Sequence, residues 1–380
     1  MWTRRGRCWG WSSLEPGLGE SAVVDDERLA ASCDRFVQGH GRRPPAVHLD
    51  QIPREVVGDR YGAGGVVAEL EREVASLLGM EAALFLPSGT MAQQIALRVH
   101  ADRRASRGVA FHPTCHLFHR EELALEALHK LGSVPVGAAR RVIEIADLES
   151  LGSQDVGSLL LELPQREIGG QLPSFPELEQ QASLAKERGW ALHLDGARLW
   201  EAAAGYERSP AEVARLFDSV YVSFYKGLGG IAGCCLAGPA DFIEEASRWR
   251  TRHGGRVVAL WPYAASDLSS LRRRLPRMAR YHQHARAAAT ELSHVDGVQV
   301  TPNPPQVSMM HLTLNVDAET LGARCRRLAR EQGIWSWPAP FPSCLETDDE
   351  RSLVEFTVGD ATLELSAQEI AGVVDFLTHG

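Results

Sequence analysis

The chain has 380 residues, 44% of them hydrophobic, which suits a large core plus a smaller one, since single cores rarely grow past roughly 250–300 residues. A formal net charge of −9 and a pI near 5.9 argue against the basic surface that attracts nucleic acid or anionic membrane, and leave a small molecule as the expected partner. Seven cysteines make an odd count with no CxxC pair, which favours neither a disulfide framework nor a zinc site and fits a cytoplasmic protein.

Residues 1–45 read as an N-terminal arm, disordered in part. The start, MWTRRGRCWGWSSLEPG, is positively charged but lacks the continuous apolar stretch of a signal peptide. Its Arg and Ser with few acids also fit a weak transit peptide; a disordered extension or an over-called start codon is the favoured reading. No run of about 18 apolar residues occurs anywhere, so no membrane association is expected.

The segment VVAELEREVASLLG (residues 66–79) repeats apolar residues at three- and four-residue spacing, which predicts an amphipathic helix ended by Gly79, and AALFLP after it predicts a short buried strand. SLLLEL (158–163), WALHLD (190–195) and SVYVSFY (219–225) predict further strands, with a helix at ELEQQASLAKERG (177–189) between the first two. Strands alternating with helices imply an α/β fold whose mostly parallel sheet is covered on both faces, with ligands at the carboxyl ends of the strands. Past about residue 265 the alternation weakens. A long Arg-rich helical stretch, ASDLSSLRRRLPRMARYHQHARAAATEL, leads into the strands SMMHLTLNV and LVEFTV and a helix from Ser366. This divides the chain into a large domain over 46–265 and a smaller α+β domain over 266–380.

Four strand-end segments carry the chemistry. In LPSGTMAQQ, Ser88, Gly89 and Thr90 stand where a strand hands over to a helix, so backbone N–H groups and a hydroxyl can hold a phosphate; an ordinary N-cap explains the same residues. In LHLDGARLW, Asp195 ends an apolar strand and Arg198 follows. A carboxylate there can pair with a protonated pyridine nitrogen, or simply cap the next turn. In DSVYVSFYKGLGGIAGCCLAG, Lys226 closes a hydrophobic strand ahead of several glycines, and Ser223 precedes it. An amine in apolar surroundings loses its proton readily and becomes available for a Schiff base, although a lone lysine also snorkels at sheet edges. HPTCHLFHRE brings His112, His116 and His119 together without a recognised metal-ligand spacing, and a stacking imidazole is the favoured use.

Taken together, VGDRYGAGG, EAALFLPSGTMA, the His116 and Glu121 pair, LHLDGARLW and DSVYVSFYKGLG resemble the threonine aldolase and β-eliminating lyase family of pyridoxal-phosphate (PLP) enzymes, of the aspartate-aminotransferase-like fold. The resemblance is good over roughly residues 55–265 and loose beyond. It implies PLP bound covalently to Lys226, Asp195 as partner of the pyridinium and His116 stacked on the ring. It further implies Ser88, Gly89 and Thr90 on the phosphate with help from Ser223, and Arg198 near the ring hydroxyl. It also implies a homodimer or homotetramer with sites between subunits, and an amino-acid substrate.

The departures fall on the substrate side. Where family aldolases carry Glu-Asn-Thr-His, this chain reads ELPQREIGG: Glu162 is kept, but Gln165 and Arg166 stand where the histidine would be, and an amide cannot exchange a proton near neutral pH. Val258 falls at the family's Met-Arg-Gln arginine and Glu355 at an arginine expected to hold the substrate carboxylate. Arg166, Arg252 and Arg256 are substitutes, Arg166 preferred, with Gln165 and Tyr61 as further substrate-side candidates. The expected reaction is retro-aldol cleavage of a β-hydroxy amino acid to glycine and an aldehyde; the alternatives are β-elimination from a β-substituted amino acid and a PLP-binding protein with little catalysis.

Overall fold

The computed structural model describes residues 20–345 and 350–380; the charged start of the expected arm, residues 1–19, lies outside the described residues. The chain divides into two compact units. One comprises Pro44–Arg166 and Leu172–Met278; the other comprises the residues up to Arg43, Glu167–Gln171 and Ala279–Gly380.

The larger unit is built on seven strands: β1 (Ala82–Leu86), β2 (Gly108–Phe111), β3 (Gly132–Pro135), β4 (Ser158–Glu162), β5 (Ala191–Gly196), β6 (Ser219–Ser223) and β7 (Cys234–Gly238). Their order is β1-β7-β6-β5-β4-β2-β3, parallel from β6 to β3, with β7 antiparallel to both neighbours. β5 and β6 are buried at every residue, so they show no polar face, as a sheet with helices on both sides requires.

The helices of this unit follow from capping and spacing. α1 (Gly65–Leu78) buries Val66, Val67, Leu70, Val74 and Leu78 and ends at Gly79, whose φ of 63° suits glycine. α2 (Gly89–Arg104) is capped by Ser88, whose Oγ accepts the Met91 N–H at 3.3 Å. α3 (His116–His119) is a single turn, and α4 (Phe175–Glu187) opens on a capping box of Ser174 and Glu177. α5 (Leu199–Gly205), α6 (Ala240–Arg252) and α7 (Trp261–Arg274) follow. Leu84, Leu86, Ile95, Val99, Tyr221, Leu236 and Phe242 interlock β1, β6 and β7 with α2 and α6.

Two sequence expectations shift. β6 stops at Ser223, so Lys226 stands in the loop past the strand rather than closing it. The backbone there pairs with itself, Gly229 N–H to Lys226 O at 3.0 Å and Gly230 N–H to Phe224 O at 2.7 Å, which takes it out of the ladder. The Arg-rich helix breaks into α7, a 3-10 turn over Leu275–Arg277 and a helix over Met278–Leu292, because Pro276 has no N–H to continue the ladder.

The smaller unit holds an antiparallel sheet ordered β10-β9-β8, from β8 (Val298–Thr301), β9 (Met309–Leu314) and β10 (Ser352–Thr357), with α8 (Ala318–Gln332) and α9 (Ala367–His379). Glu355 lies on β10, in register with His311. From residue 20 to Arg43 the expected arm is folded into this unit: Glu20–Ala31 is helical, Arg35–Phe36 pairs in parallel with Ile334–Trp335, and Asp26 holds Arg326 through two bonds of 2.7 and 2.8 Å. No described helix is long and apolar enough to cross a membrane.

Candidate active site

The parallel strands β4, β5 and β6 end at one edge of the larger unit, and their registers set Glu162 opposite Asp195 and Asp195 opposite Tyr221. Asp195 is 4% exposed; its Oδ1 accepts the Ala197 N–H at 3.1 Å, and burial pushes the carboxyl above its ordinary range. α2 begins at the same edge, since a Cβ on Gly89 would collide with the Tyr221 hydroxyl. Only glycine lets the helix start this close, and it brings the free N–H groups of the first turn against the end of β6. Ser223 Oγ is buried there beside the Tyr221 and Tyr225 side chains.

Lys226 completes the group. Burial draws its ammonium down to about 8, assisted by the charges of Arg198 and Arg166 and opposed by Asp195 and Glu162. Its Nζ also lies 5.5 Å from the centre of the Tyr225 ring. Glycine at 227 is required because a Cβ would run into Glu201 Oε1. Glu201 is a buried α5 carboxyl raised to about 7 by burial, and the Arg198 and Lys226 charges only partly offset that rise.

His116 opens α3 with its side chain 38% exposed, and Nδ1 lies 3.2 Å from Oε1 of the buried Glu121. The carboxylate fixes one side of the imidazole and leaves the rest open to a ligand. The other two histidines are engaged by their own segment: His112 with Thr114 Oγ1 and the Ala138 and Arg141 carbonyls, His119 with the Pro113 carbonyl at 2.7 Å. No group of three or more His, Cys, Asp or Glu that could hold a metal occurs among the described residues.

On the substrate side, Gln165 Nε2 donates to Thr114 Oγ1 and Glu162 Oε2, each at 3.1 Å, and the Arg166 N–H donates to Glu162 Oε1 at 3.1 Å. Of the three arginine candidates, Arg166 lies within electrostatic reach of Lys226. Arg252 is stacked on Trp249 at 4.5 Å and Arg256 on Tyr61 at 5.5 Å. Tyr61 is 43% exposed and tied to the neighbouring loop, its N–H bonded to the Val258 carbonyl at 3.0 Å. Asp59 organises that loop by accepting the N–H groups of Gly62, Leu260 and Trp261.

The structure thus brings Ser88, Gly89, His116, Gln165, Arg166, Asp195, Arg198, Ser223 and Lys226 to the strand-end edge or its electrostatic neighbourhood, and sets Tyr61 with Arg256 and Val258. Sequence reading passed over Tyr221, Glu201 and Asp267. The last is a wholly buried α7 carboxyl, both of whose oxygens lack a partner among the described residues, set against Gly230. A lone acid inside an apolar helical stretch, as in LWEAAAG and YAASDLSSL, was the available signal.

A model of the beta-eliminating lyase family matches residues 45–315. Low-specificity L-threonine aldolase 1 of Arabidopsis thaliana is 30% identical over 289 residues, 74% of this chain and 80% of that protein. A solved structure from Listeria monocytogenes EGD-E, provisionally named an L-allo-threonine aldolase, is 39% identical with a TM-score of 0.86, over 93% of this chain and 98% of its own. One from Exiguobacterium sp. 255-15, provisionally named an aromatic amino acid beta-eliminating lyase/threonine aldolase, gives the same identity and TM-score over 93% and 99%. With the match running through every strand of the larger unit and past the Lys226 loop, the chain belongs to the beta-eliminating lyase family.

Proposed function

We propose that the protein is a PLP-dependent lyase that cleaves β-hydroxy-α-amino acids to glycine and an aldehyde. Lys226 carries the reading: it is an amine drawn down to about 8 by burial and within electrostatic reach of the buried Asp195. The surrounding residues fit the cofactor. The buried Ser223 Oγ and the glycine-started α2, capped by Ser88, offer donors to a phosphate at a helix N-terminus, with Thr90 in the first turn. Asp195 supplies a desolvated carboxylate for a ring nitrogen, His116 an imidazole face held by Glu121, and Arg198 a cation beside Lys226.

Bound PLP supplies an electron sink for the bond broken at Cα. Lys226 is its covalent attachment point, and with its ammonium drawn down to about 8 it gives up and takes back protons there within reach of neutral pH. Asp195 keeps the ring nitrogen protonated. Arg166 pairs with the substrate carboxylate; Gln165, whose amide donates to Thr114 and Glu162, cannot move a proton because an amide neither gains nor loses one near neutral pH. The names of the Arabidopsis and Listeria relatives favour Cα–Cβ cleavage. The amide at 165 favours a second reading, β-elimination, which needs no base on a substrate hydroxyl.

Products decide between them. Glycine and acetaldehyde from L-threonine or L-allo-threonine are expected from the purified protein with PLP. Pyruvate and ammonia from a β-substituted alanine, with no turnover of any β-hydroxy amino acid, would overturn the cleavage reading. Lys226→Ala is expected to abolish the visible absorbance of bound cofactor; unchanged absorbance in that variant removes the attachment point and the proposal with it.

The protein acts as a homo-oligomer, supported by exposed apolar side chains at Val57, Tyr61, Val258, Trp261 and Tyr263 on two segments tied together through Asp59. It works in a reducing, cytoplasmic setting, supported by six described cysteines that are all free thiols.

A further inference from the structure

We infer that Glu162 and Asp195 form a proton-sharing pair, in which Glu162 is a positioning residue that sets how much negative charge stands beside the cofactor's ring nitrogen. For the cofactor this rests on the PLP reading above; for the pair it rests on geometry. β4 and β5 are parallel and hold Glu162 and Asp195 in direct register, so both side chains leave the sheet at one level of neighbouring strands. Strands lie about 4.8 Å apart, and the half-buried Glu162 carboxyl at that spacing from the buried Asp195 does not ionise independently of it.

Glu162 is held rather than loose. Oε1 accepts the Arg166 N–H and Oε2 the Gln165 amide, both at 3.1 Å. This gives the chain's departure at 165 a use, because an amide orients the Glu162 carboxyl without titrating. The groups facing Glu162 are Asp195 on β5, the Cys115 thiol and His116 on the α3 side, Arg198 ahead of α5, Arg166 in its own loop and Lys226 beyond β6. Behind His116 stands Glu121. Burial and the Asp195 charge raise the Glu162 carboxyl, and His116 and Arg198 only partly oppose them. A cavity of about 20 Å³ lined by Glu162, Gln165 and Gln181 lies beside Glu162, and Gln181 Oε1 is buried there with no partner among the described residues. That space holds about one water and offers the Glu162 proton an exchange partner.

With Glu162 protonated, the pair carries one negative charge, on Asp195. When Glu162 ionises, the pair carries two, and the added charge stabilises a cationic ring nitrogen where the cofactor is bound and the Lys226 ammonium where it is not. The pH at which the bound cofactor changes its protonation is therefore set in part by Glu162.

Two measurements on wild type, Glu162→Gln and Glu162→Asp test this. The first is denaturant unfolding of the cofactor-free protein from pH 4 to pH 8. A carboxyl raised from 4.5 to about 7 makes stability fall as pH rises through that window, because the unfolded chain has released a proton the folded chain still holds. Glu162→Gln is expected to remove part of the fall and Glu162→Asp to keep it at a shifted pH. Should the Gln variant not fold, the Asp comparison decides alone. The second is a pH titration of the visible absorbance after reconstitution with PLP. Its midpoint is expected to move by roughly one pH unit or more in Glu162→Gln. Superimposable unfolding profiles for wild type and both variants overturn the pair. Absence of any cofactor absorbance in the wild type overturns the PLP reading and the role at the ring, while the unfolding profiles still decide the pair.

Discussion

Lys226 shows how one side chain couples stability to chemistry. In the folded protein its ammonium is drawn from 10.5 to about 8, chiefly by burial. The unfolded chain therefore binds more protons than the folded one between those values, and stability rises with pH across the window. Below it the folded state carries the full penalty, about 3 kcal/mol at 1.36 kcal/mol per unit. Lys226→Met without cofactor is predicted to be more stable than wild type by up to that amount at pH 7, with the gain fading toward pH 10.5. Urea midpoints across pH measure it, and equal midpoints at pH 7 would contradict it. Asp195 makes the complementary prediction. Asp195→Asn keeps the shape and the bond from Ala197 but removes the charge, so cofactor absorbance is expected to persist while kcat/KM falls roughly 10²–10³-fold, the scale of losing one preorganised electrostatic partner.

Among the elements, the loop after β6 is the part the sequence disclosed least. Apolar runs announced β4, β5 and β6, because strands buried on both faces must be continuously hydrophobic. The Asp195 and Lys226 motifs were likewise legible, since strand ends concentrate chemistry in parallel sheets. The course of residues 226–230 was not, because it depends on α7, 41 to 46 residues further along the chain: Arg274 Nη1 donates to Leu228 O at 2.7 Å and Ser270 Oγ to Gly229 O at 3.5 Å. Helix periodicity says which α7 residues are buried, and nothing in it says that a buried arginine ends on a particular carbonyl. Tyr61 illustrates a related limit. Its motif matched the family, yet its backbone φ of 56° and its partners at Val258 and Arg256 follow from a loop closed by Asp59. Arg274→Ala is predicted to cost about 1.5–3 kcal/mol, as for a lost hydrogen bond from a charged donor, and to speed hydrogen exchange of the amides in 227–230 well beyond the rest of the larger unit. Uniform exchange across that unit would show that the loop holds itself.

For the whole molecule, the net charge of −9 keeps the surface soluble, so an apolar patch maintained on it calls for a partner. Val57 is 70% exposed, Val258 59% and Tyr61 43%, and the loops that carry them are locked together by the three N–H groups on Asp59. Rigid, apolar and partly aromatic loops lose little entropy on docking, which favours a stable contact with a second copy of the chain. A homodimer or larger assembly is therefore predicted at micromolar concentration. Val258→Glu is the informative variant, because that side chain is exposed and the residue is held among the described residues through its backbone carbonyl. Placing a carboxylate there leaves the fold unchanged but buries a charge in any self-contact, which is expected to weaken association about 100-fold or more. Sedimentation equilibrium reads the dissociation directly, and PLP absorbance recorded on the same samples shows whether the site needs its neighbour. A monomeric wild type, or a Val258→Glu variant that associates as tightly as wild type, would remove this face from the assembly.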